Sequence, residues 1–276
     1  MEIRHAVHPS QASGFTADQL REHYLVDDLF GGDAVRAVYS HHDRMAVGGV
    51  APEPGVSVAL PAFEPLRSEY FCQRRELGVI NVGSPGEVRV DGQAHRLDNK
   101  DGLYVPRGAR DVSFSSGDEG RAKFYLVSTP AHASHPAAHI RFADVAGVRL
   151  GSPEGSNVRT LRKYIHADGV RSCQLVMGLT VLEPGSMWNT MPCHTHDRRT
   201  EVYLYTDLPD EHRVVHLLGR PDETRHMIVA SDQAVISPSW SVHTGCGTHS
   251  YAFVWAMGGE NQRFDDMDQI AIRDLR

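Results

Sequence analysis

The feature that most constrains this chain is a rhythm of short apolar, β-branched and aromatic segments cut by Gly, Asp, Asn and Pro. Before residue 130 the segments are LGVINV, EVRVDG, GLYVP, DVSFS and KFYLVS; after residue 170 they are SCQLVMGLTVL, EVYLYT, RVVHLLG, HMIVA, QAVISP and YAFVWAM. Runs of this length, punctuated at such intervals, suit antiparallel sandwiches or barrels. Between Thr129 and Ser156 the rhythm stops, and Ala, Pro, His and Gly take over. The expected fold is mainly all-β: two barrel halves at 56–130 and 161–276, a linker at 131–160, and an N-terminal helical segment with its connection at 1–55. Thr16 as N-cap with Gln19 three residues on is a capping box, and Phe15 against Leu20 is a hydrophobic staple. A helix through ADQLREHYLVDDLF should follow, ended before the Gly- and Pro-rich DRMAVGGVAPEPG.

At 276 residues the chain is long enough for two cores, and 41% apolar with 23% charged residues is a globular balance. No window approaches a spanning helix, so no membrane partner is expected. A net charge of −7 without a dense Lys/Arg cluster excludes a phosphate-backbone partner and leaves small molecules. MEIRHAVHPS lacks the basic start and apolar stretch of a secretory signal, which predicts a cytoplasmic location. Cys72, Cys173, Cys193 and Cys246 have no CxxC spacing and read as reduced, packed thiols.

The run GSMWNTMPCHTHDRRTEVYLY carries the chemistry. His194 and His196 stand two apart, so on a strand both imidazoles leave one face. Glu201 follows after a short turn, and His243 arrives from SPSWSVHTG, five residues beyond Pro238. Three imidazoles and a carboxylate suit zinc, iron, manganese, nickel or cobalt rather than a thiolate-rich structural site. His132, His135 and His139 share a helical spacing, but Pro136 breaks that helix, and they read as a solvated loop. His212, His216, His226 and His249 lack any such arrangement.

HxH with a following Glu and a distant PxGxxH resembles the two metal motifs of the cupin superfamily, with Trp240 where the usual Gly would stand. In the first half YVPRGARD aligns with SPSWSVH and RELGVINVG with RTEVYLYTD, which pairs Glu76 with Glu201 and Asp111 with His243 and puts Glu69 and Phe71 where the histidines would be. The resemblance therefore implies two cupin-type jelly-roll halves, the first metal-free. The longer runs WNTMPCHTHDRRTEVY, ETRHMIV, AVISPSWSVHTGCGT and WAMGGENQ, with SNVRTLRKYIH, SCQLVMG and DRMAVGG before them, resemble the 5-keto-4-deoxyuronate isomerase family over nearly the whole chain. That resemblance implies a zinc-dependent aldose–ketose isomerase of pectin and uronate breakdown. It would turn 5-dehydro-4-deoxy-D-glucuronate into 3-deoxy-D-glycero-2,5-hexodiulosonate in a bacterial cytoplasm, as a homohexamer with one Zn²⁺ per chain.

Moving a carbonyl from C1 to C2 needs a proton removed beside it and an enediolate stabilised. Glu260, His226 and Tyr251 have suitable chemistry for the proton shuttle. A substrate carboxylate calls for a cation, and Arg162, Lys163, Arg198, Arg199 and Arg225 are the candidates, Arg199 and Arg225 preferred. Trp188, Trp240 and Trp255 are expected in the core or cavity walls. Two other functions share the ligand set: a mononuclear metal dioxygenase, and a non-catalytic sugar-acid-binding bicupin.

Overall fold

In the computed structural model, which describes residues 1–276, the alternating segments form four main sheets, and helix is confined to short pieces. Two compact units result. One comprises Met1–Arg4, Asp28–Ala146 and Tyr164–Met177; the other comprises His5–Asp27, Gly147–Lys163 and Gly178–Arg276.

In the first unit a seven-stranded sheet runs in the order Glu2–Arg4, Arg36–Ser40, Ala46–Val50, Phe124–Pro130, Arg75–Asn81, Gly102–Val105, Ala138–Ile140. Its companion runs Ser57–Ala59, Val112–Ser116, Gly86–Val90, Gln93–Leu97. The second unit holds most of a seven-stranded sheet in the order Gly147–Leu150, Arg159–Ile165, Val176–Leu182, Ala252–Gly259, Arg199–Thr206, Ala234–Ser237, Leu25–Val26. Its companion runs Trp188–Asn189, Thr244–Gly247, Val214–Arg220, Glu223–Val229. In both units the chain's last barrel strand enters the large sheet between earlier ones, Phe124–Pro130 beside Arg75–Asn81 and Ala252–Gly259 beside Arg199–Thr206. The two sheets of each unit thus have one strand order, that of a jelly roll.

Hydrocarbon fills the first unit. Phe71, Leu77, Val79, Leu103, Val105, Phe114, Phe124 and Leu126 belong to one buried apolar cluster. Phe71 is thus a core residue, while Glu69 and Asp111 are exposed. Strand register corrects the expected match of Glu76 with Glu201. Leu77 pairs with Val105, the residue before Pro106, and Glu201 pairs with Ser237, the residue before Pro238. Leu77 is therefore the counterpart of Glu201, and Glu76 sits one residue off. A slip of one residue turns a side chain to the other face of a sheet.

On that other face Glu76 is fully buried and its carboxyl group accepts five hydrogen bonds. The Tyr104 hydroxyl (2.9 Å) and the backbone N–H of Cys173 (2.7 Å) donate to Oε2. The Thr129 hydroxyl (3.0 Å) and the N–H groups of Gln174 (2.8 Å) and Leu175 (2.9 Å) donate to Oε1. Three consecutive backbone amides thereby find their acceptor in one carboxyl group.

The capping box forms as expected: Thr16 Oγ1 accepts from Gln19 N–H and Gln19 Oε1 from Thr16 N–H. Phe15 stacks on His23, with ring centroids 4.8 Å apart. The helix covers only Ala17–Tyr24, because Leu25 and Val26 turn extended and pair with Val235 and Ala234 at a sheet edge. An open edge offers those two apolar residues backbone partners and burial that further helix would not. The segment 131–160 is not all connection either. Ala138–Ile140 pairs with Gly102–Tyr104, and Gly147–Leu150 with Arg159–Arg162. All four cysteines are free thiols, and no helix is long and apolar enough to cross a membrane.

Glu76→Ala would leave these donors unpaired in the interior. We expect a loss of about 3 kcal/mol or more in unfolding free energy, read from urea denaturation; a loss below about 1 kcal/mol would refute the stitching role.

Candidate metal centre

His194, His196, Glu201 and His243 converge inside the second unit, with one potential ligand atom of each within 4.8 Å of all the others. All four are buried. Each arrives by a different local device. His194 lies on the two-residue strand His194–Thr195, which pairs with Asp268–Gln269. His196 follows, with its N–H on the Ser239 carbonyl, and a turn from its own carbonyl to Arg199 N–H starts the strand that presents Glu201. His243 stands just before Thr244–Gly247, after a turn closed by Ser241 N–H on the Pro238 carbonyl. Trp240 replaces the usual Gly without reaching the cluster; it makes an edge contact with Tyr24 at 6.5 Å.

His194 Nε2 lies 3.2 Å from His196 Nε2 and 3.1 Å from His243 Nε2, and Glu201 Oε2 lies 2.8 Å from both His196 and His243 Nε2. His196 Nδ1 faces the Asp266 carbonyl (2.9 Å) and His243 Nδ1 the Ser241 carbonyl (3.3 Å). A carbonyl only accepts, so each Nδ1 carries the proton and turns a bare Nε2 inward. Lone pairs crowded this closely repel unless positive charge lies among them. A proton is disfavoured at His194, whose pKa is driven down to about 2 by burial and then by the neighbouring imidazoles. Burial alone would raise the Glu201 carboxyl; the facing His243 and His196 oppose it and hold the group below the usual carboxylate range. The donor set fits a divalent ion bonded at about 2.0–2.2 Å, whose ligands touch one another at such spacings.

Arg199 Nη2 shares the Asp266 carbonyl with His196 (2.8 Å), so the segment after Gly259 supports the cluster through its backbone. Asp266 is held in turn by Arg198 Nε (2.8 Å) and Asn261 Nδ2 (2.6 Å). Over the cluster opens a cavity of about 230 Å³, walled by Arg159, Thr180, Thr190, Tyr203, Phe253, Trp255, Met257, Phe264 and Gln269 besides His194, His196 and Glu201. The Tyr203 and Thr190 hydroxyls lie 3.0 Å apart, and burial lifts the Tyr203 phenol well above its usual value.

The other residues singled out from the sequence lie elsewhere. Glu260 and His226 are exposed, and Tyr251 is buried with its hydroxyl donating to the Gly245 carbonyl (3.0 Å) and accepting from Asn189 (2.8 Å). None of the three lines the cavity. Arg225 donates to the Ser13 carbonyl and pairs with Glu223; Arg198 pairs with Asp266 and Asp268. Arg199 is fully buried beside His196, Arg162 lies over Gly147, and Lys163 Nζ sits 4.0 Å from the centre of the Phe264 ring. Tyr203 and Arg159 were accessible to strand alternation, which puts Tyr203 on the face of Glu201, and Arg159 with Leu161 on the face opposite Arg162. Asp266 acts through its backbone and has no signal in residue type.

A jelly roll duplicated within one chain, with a three-histidine, one-glutamate cluster in the second copy only, defines a bicupin with a single candidate metal centre. Residues 35–272 match the KduI/IolB family, and the chain belongs to it. It is 53% identical over 277 residues, the full length of both chains, to the 4-deoxy-L-threo-5-hexosulose-uronate ketol-isomerase of Lachnoclostridium phytofermentans. It is 50% identical over 276 residues, again full length on both sides, to the protein of the same name from Bacillus subtilis. Among solved structures, an IolB-like protein from Salmonella typhimurium LT2 superposes with a TM-score of 0.72 at 14% identity, covering 90% of this chain and 96% of that one. Oxalate decarboxylase from Bacillus subtilis superposes at 0.56 and 11% identity, covering 80% and 70%. These two likenesses establish the cupin-like fold.

His216 is buried, with Nδ1 hydrogen-bonded to the Tyr205 hydroxyl (2.7 Å) and Nε2 unpartnered. Burial, and then the nearby His243, pushes its pKa from 6.5 to about 3. The folded value lies below the unfolded one, so this group's contribution is intact above about pH 6.5 and is lost as pH falls toward 3. His216→Gln should therefore lose less stability than the parent between pH 7 and 4.5, read from urea midpoints; parallel losses would show that His216 does not titrate in this window.

Proposed function

We propose that this chain is a metal-dependent ketol-isomerase that converts 5-dehydro-4-deoxy-D-glucuronate to 3-deoxy-D-glycero-2,5-hexodiulosonate, an aldose-to-ketose step of pectin and uronate breakdown. The observation that carries this reading is 53% identity, end to end, to a protein named for that activity. The chemistry of the cluster supports it. His194, His196, Glu201 and His243 would hold the ion, and the ion, when bound, supplies Lewis acidity to a carbonyl and its neighbouring hydroxyl. Zinc, one per chain, is our reading of the ion, on the family resemblance and the imidazole–carboxylate donor set. Assembly as a homohexamer and a cytoplasmic location rest on the same resemblance.

The protein's own groups fit the sheltering of an enediolate beside the ligand cluster. Phe253, Trp255, Met257 and Phe264 line the cavity with apolar surface that keeps bulk water from a reactive enediolate. Tyr203 keeps its proton on Oη and so serves as a hydrogen-bond donor on the cavity wall rather than as a base.

Incubation of the metal-loaded protein with 5-dehydro-4-deoxy-D-glucuronate, followed by NMR, should show the ketose product. No conversion at stoichiometric enzyme would sink the reading, and oxygen uptake by the Fe(II)-loaded protein would favour a dioxygenase instead. His243→Ala should lose bound metal and at least about 100-fold in activity, since even supporting residues of metal sites cost 10–100-fold. Asp111→Ala, in the hydrocarbon-filled unit, should keep both. Equal metal loss in the two variants, measured by elemental analysis, would refute the assignment of the centre to the second unit.

A further inference from the structure

Apart from the candidate ligands, Arg159 is the only charged side chain on the cavity wall. Its neighbours there are hydrocarbon, hydroxyl and amide groups. It is partly buried, and burial depresses its pKa, with the phenols of Tyr203 and Tyr251 opposing that effect. Other arginines of this unit are neutralised: Arg198 by Asp266 and Asp268, Arg225 by Glu223, Arg149 by Glu183. No carboxylate of the chain pairs with Arg159. Its hydrogen bond within the protein runs from Nη1 to the Asn157 carbonyl (2.8 Å). A guanidinium has five N–H donors, and withdrawing it from water without an anion is costly.

Its position fits a ligand charged at one end. Arg159 starts the strand Arg159–Ile165, which lies three places from the Glu201 strand, across Val176–Leu182 and Ala252–Gly259. Three strand spacings are about 14 Å along a sheet, a separation that an extended arginine and a six-carbon acid can span between them. In the proposed substrate the reacting carbonyl and the carboxylate occupy opposite ends of such a chain.

We propose that Arg159 is the specificity-determining residue of this enzyme, pairing its free guanidinium edge with the substrate's C6 carboxylate while C1 and C2 lie at the ligand cluster. The role expected of Arg199 or Arg225 thereby passes to an arginine that faces the cavity without a counter-ion. This inference rests on the isomerase reading and names the residue that selects for the acid.

Two substrates separate the possibilities: the uronate, and its neutral counterpart in which C6 is a primary alcohol. Arg159→Met should lose about 30-fold or more in kcat/KM on the acid, mainly through KM, and stay within about 3-fold on the alcohol. Metal content and melting temperature should match the parent. Arg159→Lys keeps the charge but not the fork, and should lose about 5-fold on the acid alone; it carries the test if the methionine variant does not fold. An unchanged acid-to-alcohol ratio in the folded variant would overturn the anchor and leave the isomerase reading intact. A parent enzyme inert on the acid would overturn the isomerase reading, and the anchor with it.

Discussion

Two imidazole nitrogens stripped of protons, a third beside them and a carboxylate oxygen face one another across 2.8–3.2 Å in the interior of the second unit. Such a cluster is repulsive by itself, so the surrounding structure has to hold it in place. The Asp266 and Ser241 carbonyls fix the tautomers of His196 and His243. Strand register fixes Glu201, and Arg198 with Asn261 fixes Asp266. Each support comes from a different stretch of chain, and removing one would free a ligand to turn away. The rigidity of the barrel is what lets the four side chains stay converged.

The two copies of the jelly roll solve their interiors in opposite ways. At the position where one carries Glu201, the other carries Leu77, and Val79 stands where Tyr203 lines a cavity. Val79 and Leu77 join a cluster of hydrocarbon side chains that fills the first barrel. Its buried carboxyl, Glu76, belongs to the outer face and serves the backbone amides of Cys173, Gln174 and Leu175. The same strand order therefore supports packing in one unit and chemistry in the other, and side-chain size decides which.

Much of this was legible in the residues. Turn spacing announced two β-rich halves, the capping box at Thr16 formed as read, and the four convergent side chains stood out by type and spacing. What sequence reasoning missed has physical causes. Glu76 matched Glu201 by residue type, whereas pairing register, set by the strand before each proline, assigns that place to Leu77. Helix propensity carried the first helix too far because the partner of Leu25 and Val26 lies some 200 residues away in sequence. Arg199 and Arg225 were attractive for closeness to the motifs, but one is sealed in the interior and the other is tied to Ser13 and Glu223. Alternation along RTLRKYI separates Arg159 from Arg162 and is the signal by which the cavity-facing cation, absent from the candidates read in the sequence, could have been found.

The hydrocarbon filling of the first barrel also makes its present state hard to reverse. A glutamate at Leu77 would set a charge in the buried apolar cluster that holds Val79, Leu103, Val105 and Leu126. Histidines added afterwards would meet a core packed to the density of an organic crystal. A second centre would need the cavity opened before any ligand was gained, and each opening step removes stability without giving activity. The two copies are thus separated by packing as well as by ligand type, and a change of ligand type alone would not convert one into the other.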